Sequence, residues 1–471
     1  YTMSASKGGY VSLQYGQRRP SESGTPIELG DGQALEKITI ALPRGSVLGG
    51  RVTDEFGEPV ANASVTAWRY AYMAGARRLM PAGQNARDTT DDQGHYRLFG
   101  LPPGDYYVSA SLRPFGPEAT DPSGDLPGYA NTYYPGTSNA GEAGRVTLSV
   151  AQENTGINFG LIATKMLRVS GQVISSQGTP VTNGAVTLIP AGANGGPGLG
   201  IMQGGGGRID PTGAFRITNV APGRYQVQAR AGGREFELAR MDLSVGGEDV
   251  EGLTLVTSPG AVVNGNVVTD TGEPFDFRPQ QLQVAARSVS LDSGGGPPTP
   301  PGRVGDDWSF QLRNVNDAVL VRTNVPQGWT LKSVSLNGQD ITDVPMEFPS
   351  GQTVNGLQVV LTKKVSALSG QVLDSKGAPA LDATVVVFPA NDKLWTYQSR
   401  FIKAARPDQS GRFQMSALPA EDYLVVALQG LEDGQAGDPD FLATIKDQGT
   451  RFSIADGETK AVDVKLTDKS R

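Results

Sequence analysis

Few side chains in this 471-residue sequence could do chemistry, and their spacing narrows what that chemistry would be. There is one histidine, His95, and there is no cysteine. A nucleophile-base-acid triad would rest on that single imidazole, and zinc sites built from several His or Cys ligands are out of reach. Without thiols there are no disulfides and no thiolate nucleophile. The carboxylate pairs Asp91/Asp92 and Asp306/Asp307 have the composition for acid and base work. Each pair sits in a recurrent turn, where an Asp side chain accepts from backbone N–H groups of the next residues. Turn formation is therefore expected for the carboxylates, and a plain strand position for His95.

A hard cation is the sharper alternative for these turns, because calcium gathers roughly six to eight oxygens and clustered Asp on a loop can supply several. The candidate ligands are Asp88, Asp91 and Asp92, with Asp121 and Asp125 on the long loop that follows. Calcium is the only cofactor the residues suggest, and no EF-hand or nonapeptide calcium motif accompanies it. The Tyr-rich stretch GYANTYYPGT offers Tyr129, Tyr133 and Tyr134 as stacking platforms for a sugar ring. Aromatics also recur near the start, in GYVSLQYGQ, and such recurrence more often marks packing or a domain junction than binding. The glycines from Gly192 to Gly207 resemble a phosphate cradle only superficially, since that motif must open a helix after a strand. Here both flanks read as strands, so a hairpin tip is expected.

The elements that would position these residues follow from the punctuation of the chain. With 62 glycines and 32 prolines separating short runs of alternating Val, Thr and Ser, the sequence reads as many short strands. One block recurs, as GRVTDEFGEPVANASVTAW from Gly50, GQVISSQGTPVTNGAVTLI from Gly171, GNVVTDTGEPF from Gly265 and GQVLDSKGAPALDATVVVF from Gly370. The anchor glycines lie 121, 94 and 105 residues apart, the size of a β-sandwich domain rather than of a solenoid unit. A second half follows each anchor: TTDDQGHYRLFGLPPGDYYVSA from Thr89, RIDPTGAFRITNVAPGRYQVQA from Arg208, GDDWSFQLRNV from Gly305 and RPDQSGRFQMSALPAEDYLVVA from Arg406. Within the first block Ala63, Val65 and Ala67 alternate with Ser64, Thr66 and Trp68, the period-two pattern of a strand with one buried face. About seven short antiparallel strands per block, packed as two facing sheets, is the economical solution. One stretch breaks the pattern: DPDFLATIKDQG places Asp438 at an N-cap, Pro439 at the first helical position and Phe441, Leu442 and Ile445 on one face. A short helix covering a sheet edge or a junction is expected there.

The combination G-x-V-x-D-x-x-G-x-P-V, T-D-x-x-G-x-Y/F and L-P-P-G-x-Y-x-V resembles the carboxypeptidase regulatory-like domain, a transthyretin-like β-sandwich. The resemblance is strong for the blocks beginning near Ser46, Leu167 and Ser366. It is weaker near Gly260, where NVNDAVLVRTNVPQGW replaces the LPPGxY turn. It implies an all-β tandem array of immunoglobulin-like or transthyretin-like sandwiches in an exported bacterial protein, non-catalytic and similar in outline to surface stalks. The expected units are 44–163, 164–257, a divergent 258–363, and 364–471 with the helical insertion. Stalk domains of that kind use Lys-to-Asn or Lys-to-Asp isopeptide bonds, and Lys363 or Lys364 with Asp463 is the one pairing available.

The first residues, YTMSAS, align with Tyr106 to Ser111 inside the repeat, and ITIALPRGS from Ile38 then takes the place of a closing strand. Residues 1–43 accordingly read as the back half of a sandwich whose first half is absent. Half a sandwich leaves an apolar face and strand edges that another chain can pair. The leading expectation is a rod-like extracellular structural subunit that assembles head to tail by strand complementation, through Met3, Ala5, Ile38 and Ile40, into a filament. The alternatives are a cell-surface carbohydrate- or peptide-binding module using Tyr129, Tyr133 and Tyr134, and an accessory region of a secreted peptidase or transporter. A formal net charge of -7 with no basic stripe leaves nothing to hold nucleic acid. No window approaches the apolar length of a membrane-spanning helix.

Overall fold

The computed structural model describes residues 1–73, 75–83, 85–112, 127–190, 205–232, 236–289 and 299–467. Regular structure is almost entirely strand, and the one α-helix among the described residues is Pro439–Ile445. The fold is all-β: successive sandwiches, each around its own apolar core.

The sequence repeat is a repeat of strand pairing. The anchor strands Ser46–Thr53, Leu167–Ile174, Ala261–Thr269 and Ala367–Leu373 pair antiparallel with the strands that follow the Asp turns, His95–Leu101, Ala214–Val220, Ser309–Val315 and Arg412–Ser416. On the other side each anchor strand runs parallel to its closing strand: Phe159–Gly160, Val250–Val256, Thr353–Thr362 and Val464–Thr467. Facing them is a second antiparallel pair in every unit, for example Ser64–Met73 with Gly104–Ser111 and Thr384–Pro389 with Glu421–Leu428. The third unit, weakest in sequence, keeps this pairing through Gln283–Ser288 and Val319–Asn324.

The expectation of purely antiparallel strands is thus corrected at the closing strand. It reaches the anchor sheet only after the chain has passed through the facing sheet, so it comes alongside the anchor strand in the same direction, as a long crossover permits. That parallel neighbour also explains the anchor glycines. A Cβ on Gly50 would lie 1.9 Å from the Ile157 carbonyl oxygen, and one on Gly171 or Gly370 would lie 1.9 Å from that of Leu253 or Val462. At Gly265 the corresponding distance to Leu357 is 2.5 Å. The closing strand occupies the space a side chain would need, so only glycine fits.

Tyrosine closes the second half of three units. The hydroxyl of Tyr225 donates to the Ala221 carbonyl at 2.7 Å and that of Tyr423 to Pro419 at 2.8 Å, while Tyr106 donates likewise to Pro102. A buried phenol needs such a partner. The bond ties the start of each strand to the turn before it, which is why the L-P-P-G-x-Y spacing recurs.

The helix Pro439–Ile445 forms where it was expected, with the Asp438 carboxylate accepting from the Asp440 N–H at 3.0 Å. Its buried Leu442 and Ile445 pack with Val386, Phe388, Leu424, Val426 and Trp395 in a core of their own. The helix therefore covers a face of the last sandwich's sheet, not its edge. Val386 and Val426 are apolar on the side a solvated sheet would keep polar, and that surface requires a lid.

Two expectations about the long axis of the molecule do not hold. Residues 1–43 contain one two-residue pairing, Ser4–Ala5 with Leu13–Gln14, and the anticipated closing strand is missing: residues 38–43 belong to no strand. An alternating segment becomes a strand only beside an open edge, and here the Pro43 carbonyl accepts from Val11 instead. Nor is the array a straight rod. The segment before the first sandwich, and that sandwich's own strand Ser64–Met73, touch the last sandwich; a Cβ on Gly434 would lie 2.9 Å from the Tyr72 carbonyl oxygen. Short linkers limit hinge freedom but do not set the angle at a junction. The angles are held by side chains such as Arg240 with Asp317, and Arg400, whose Nε lies 3.0 Å from both carboxylate oxygens of Asp343.

Candidate functional site

The recurrent turns are built by their carboxylates. Asp91 Oδ1 accepts from the Gln93 and His95 N–H groups at 3.0 and 2.7 Å, and Asp408 Oδ1 from Ser410 and Arg412 at 2.7 and 2.9 Å. Asp210 accepts likewise from Thr212 and Ala214, and hydrogen bonds hold its carboxyl below the usual range. Asp307 accepts from Ser309 in the third unit, while Asp306 accepts from Gln280. Asp88 is engaged by the Arg97 N–H at 2.7 Å. Apart from Asp306, these carboxylates accept from backbone N–H groups, and among the described residues no group of three or more His, Cys, Asp or Glu is arranged to hold a metal ion. Asp88, Asp91 and Asp92, the expected calcium ligands, are not brought together into such a group. Asp121 and Asp125 lie outside the described residues, as does most of the glycine stretch from Gly192. His95 is a solvent-facing strand residue whose Nδ1 is 3.7 Å from Asp91.

The third unit departs from this turn in one respect. The position taken by Gly94, Gly213 and Gly411 elsewhere, each with positive φ, is occupied there by Trp308 at φ 62°. A large side chain in the left-handed region costs roughly 1–2 kcal/mol. Its ring stacks on Phe275 with centroids 3.8 Å apart, and Phe277 and Trp329 complete the cluster, so packing offsets the strain.

The three tyrosines differ in their surroundings. Tyr133 is buried at 6% exposure against Trp68 and Leu79. Tyr134 packs edge-on against Phe159 before a cis peptide bond to Pro135. Tyr129 donates to Glu55 at 2.9 Å, and its strand pairs with Ala163–Lys165 at the junction with the next sandwich. The Tyr133 ring is taken up by packing, while Tyr129 and Tyr134 are partly buried against the first core. Of the isopeptide candidates, Lys363 pairs with Asp276 at 2.8 Å and Asp463 accepts from the Gln371 N–H.

The assembly residues are divided. Ala5 pairs with Leu13, the Met3 carbonyl accepts from the Tyr15 N–H at 2.8 Å, and the Met3 side chain is exposed. Ile38 and Ile40 are half-buried outside any strand. What the sequence reading missed is the contact made by residues 18–23. Arg406, on the last sandwich, is buried at 7% exposure, and its Nη1 donates to the Ser23 carbonyl at 2.9 Å and reaches Glu22 Oε2 at 3.5 Å. Its Nη2 donates to Asp382 at 3.1 Å, and Arg18 holds the other oxygen of Asp382 at 2.9 Å. The Asp433 N–H donates to the Ser21 carbonyl at 2.7 Å, while the Ser23 hydroxyl donates to the Asp433 carboxylate at 3.0 Å. Glu22 is itself buried at 5% exposure. No local motif could signal this site, because its two halves are separated by 384 residues.

Comparison with known proteins bears on the sandwiches. The model of the carboxypeptidase regulatory-like domain matches residues 47–161 and 168–256. No curated protein matches the chain. Among solved structures, the chain is similar to the TIE protein of Bacillus anthracis at 10% identity, covering 89% of this chain and 73% of that one, with a TM-score of 0.18. It is similar to a variant of the major pilin subunit of Bacillus cereus at 12% identity over 90% and 99% of the two chains, TM-score 0.18. For the shaft pilin of Lactobacillus rhamnosus GG the figures are 11%, 46% and 98%, with a TM-score of 0.17. Likeness of this size assigns nothing to the present chain. The pairing pattern and the family match agree where both apply: residues 47–161 and 168–256 are carboxypeptidase regulatory-like domains.

Proposed function

We propose that this chain is a non-catalytic structural protein of the cell exterior whose copies join head to tail into a filament. The observation that carries this reading is the segment ITIALP from Ile38, an alternating apolar sequence that belongs to no strand. Such a segment is suited to strand addition, in which main-chain hydrogen bonds supply affinity and alternate side chains fill pockets on an open sheet edge. A head-to-tail contact of this kind is heterologous and propagates unless the rotation closes it. The turn carboxylates, spent on backbone, and the solvent-facing His95 support a structural role.

Negative-stain microscopy and light scattering of the purified chain test the proposal. Filaments are expected for the native sequence and loss of them for Ile38→Lys with Ile40→Lys, which places charge on the strand to be added. A strictly monomeric native chain under all conditions would sink it.

A further inference from the structure

We infer that the Arg406 site is the receptor for the head of another copy, and that the head-to-tail contact made within one chain is remade between chains. The inference rests on the self-assembly reading above and names the surfaces that meet. The head carries Arg18, Glu22 and Ser23; the tail carries Asp382, Arg406 and Asp433, so each side presents both charges in a complementary order. Head and tail are different surfaces, so the same contact made in trans adds one subunit after another. The buried Arg406 guanidinium is paired from both sides, by Asp382 of its own sandwich and by Glu22 and the Ser23 carbonyl of the head. Exchange leaves the sandwiches whole: opening one junction separates head from tail while every sandwich keeps its own core. The occupant is therefore a second copy of this chain, as in domain swapping.

Charge reversal separates contact in trans from contact in cis. Glu22→Arg alone sets two arginines face to face, and Arg406→Glu alone sets two glutamates; each variant is expected to lose at least tenfold of the scattering signal of assembled material. An equimolar mixture of the two restores both pairings, but only between chains, and assembly is expected to return. Singles that assemble like the native chain, or a mixture that stays unassembled although both variants keep the native circular dichroism, would overturn the inference while leaving filament formation by residues 38–43 intact. A native chain that never assembles overturns both. If a reversed variant fails to fold, Ser23→Cys together with Asp433→Cys keeps the question open to measurement, since the protein has no other cysteine. Oxidation of assembled material is expected to give a reducible ladder of covalent multimers; a monomer band alone would overturn the inference.

Discussion

Glycine does two different jobs in this repeat, and they can be told apart by substitution. Gly178 has φ 77° and open space around it, so Ala there bears only the left-handed penalty of roughly 1 kcal/mol. Gly171 faces the Leu253 carbonyl, and Ala there must push the closing strand away, at roughly 3 kcal/mol. Urea unfolding is expected to rank Gly171→Ala well below Gly178→Ala. A second residue-scale prediction concerns the tyrosines at the turn. Burial pushes the Tyr106 phenol up from 10.0 to about 12, and burial raises that of Tyr423 in the same direction. The folded state thus binds the phenolic proton more tightly than the unfolded chain does. The stability this provides is complete below about pH 10 and is lost as pH rises toward 12. Alkaline unfolding followed by circular dichroism should be less steep with pH for Tyr106→Phe, although that variant starts about 1 kcal/mol lower for want of the bond to Pro102.

At the scale of elements, the short helix of the last sandwich acts as a lid. Leu442 is fully buried against the outer face of the sheet, and Leu442→Ala is expected to cost about 3 kcal/mol in urea unfolding. Asp438→Ala removes only the cap and should cost about 1 kcal/mol. The helix was legible in DPDFLATI because its cap, its proline and its apolar face are all local. Its target was not, since an edge and a face differ only in what the strands Thr384–Pro389 and Glu421–Leu428 leave uncovered. The turns were legible for the same reason as the helix: an Asp two residues before its N–H partner needs no distant information. For Tyr133 packing and binding both stayed open, because an aromatic in a loop looks alike whether it stacks on a ligand or on Trp68.

For the whole molecule, the head-to-tail contact decides dimension. Arg406→Ala leaves buried Glu22 with only the largely exposed Arg19, 3.9 Å away, as its cation, a change of about 3 kcal/mol in such settings. Small-angle scattering of the monomer should then show a larger radius of gyration than the native chain, with circular dichroism unchanged because each sandwich has its own core. An unaltered radius would show that other contacts, such as those of Tyr72 with the segment near Gly434, suffice to hold the bend.

The sequence by itself determined the class, the repeat and the turns, because alternation, glycine and proline spacing and Asp-capped turns act over a few residues. It also singled out the anchor glycines without saying why. Only the tertiary structure decided that the closing strand lies parallel, in the space a side chain would fill, and that Arg406 meets Glu22. Those are contacts between residues about a hundred to nearly four hundred positions apart, and their geometry is set by how sheets cross and sandwiches abut rather than by any local pattern.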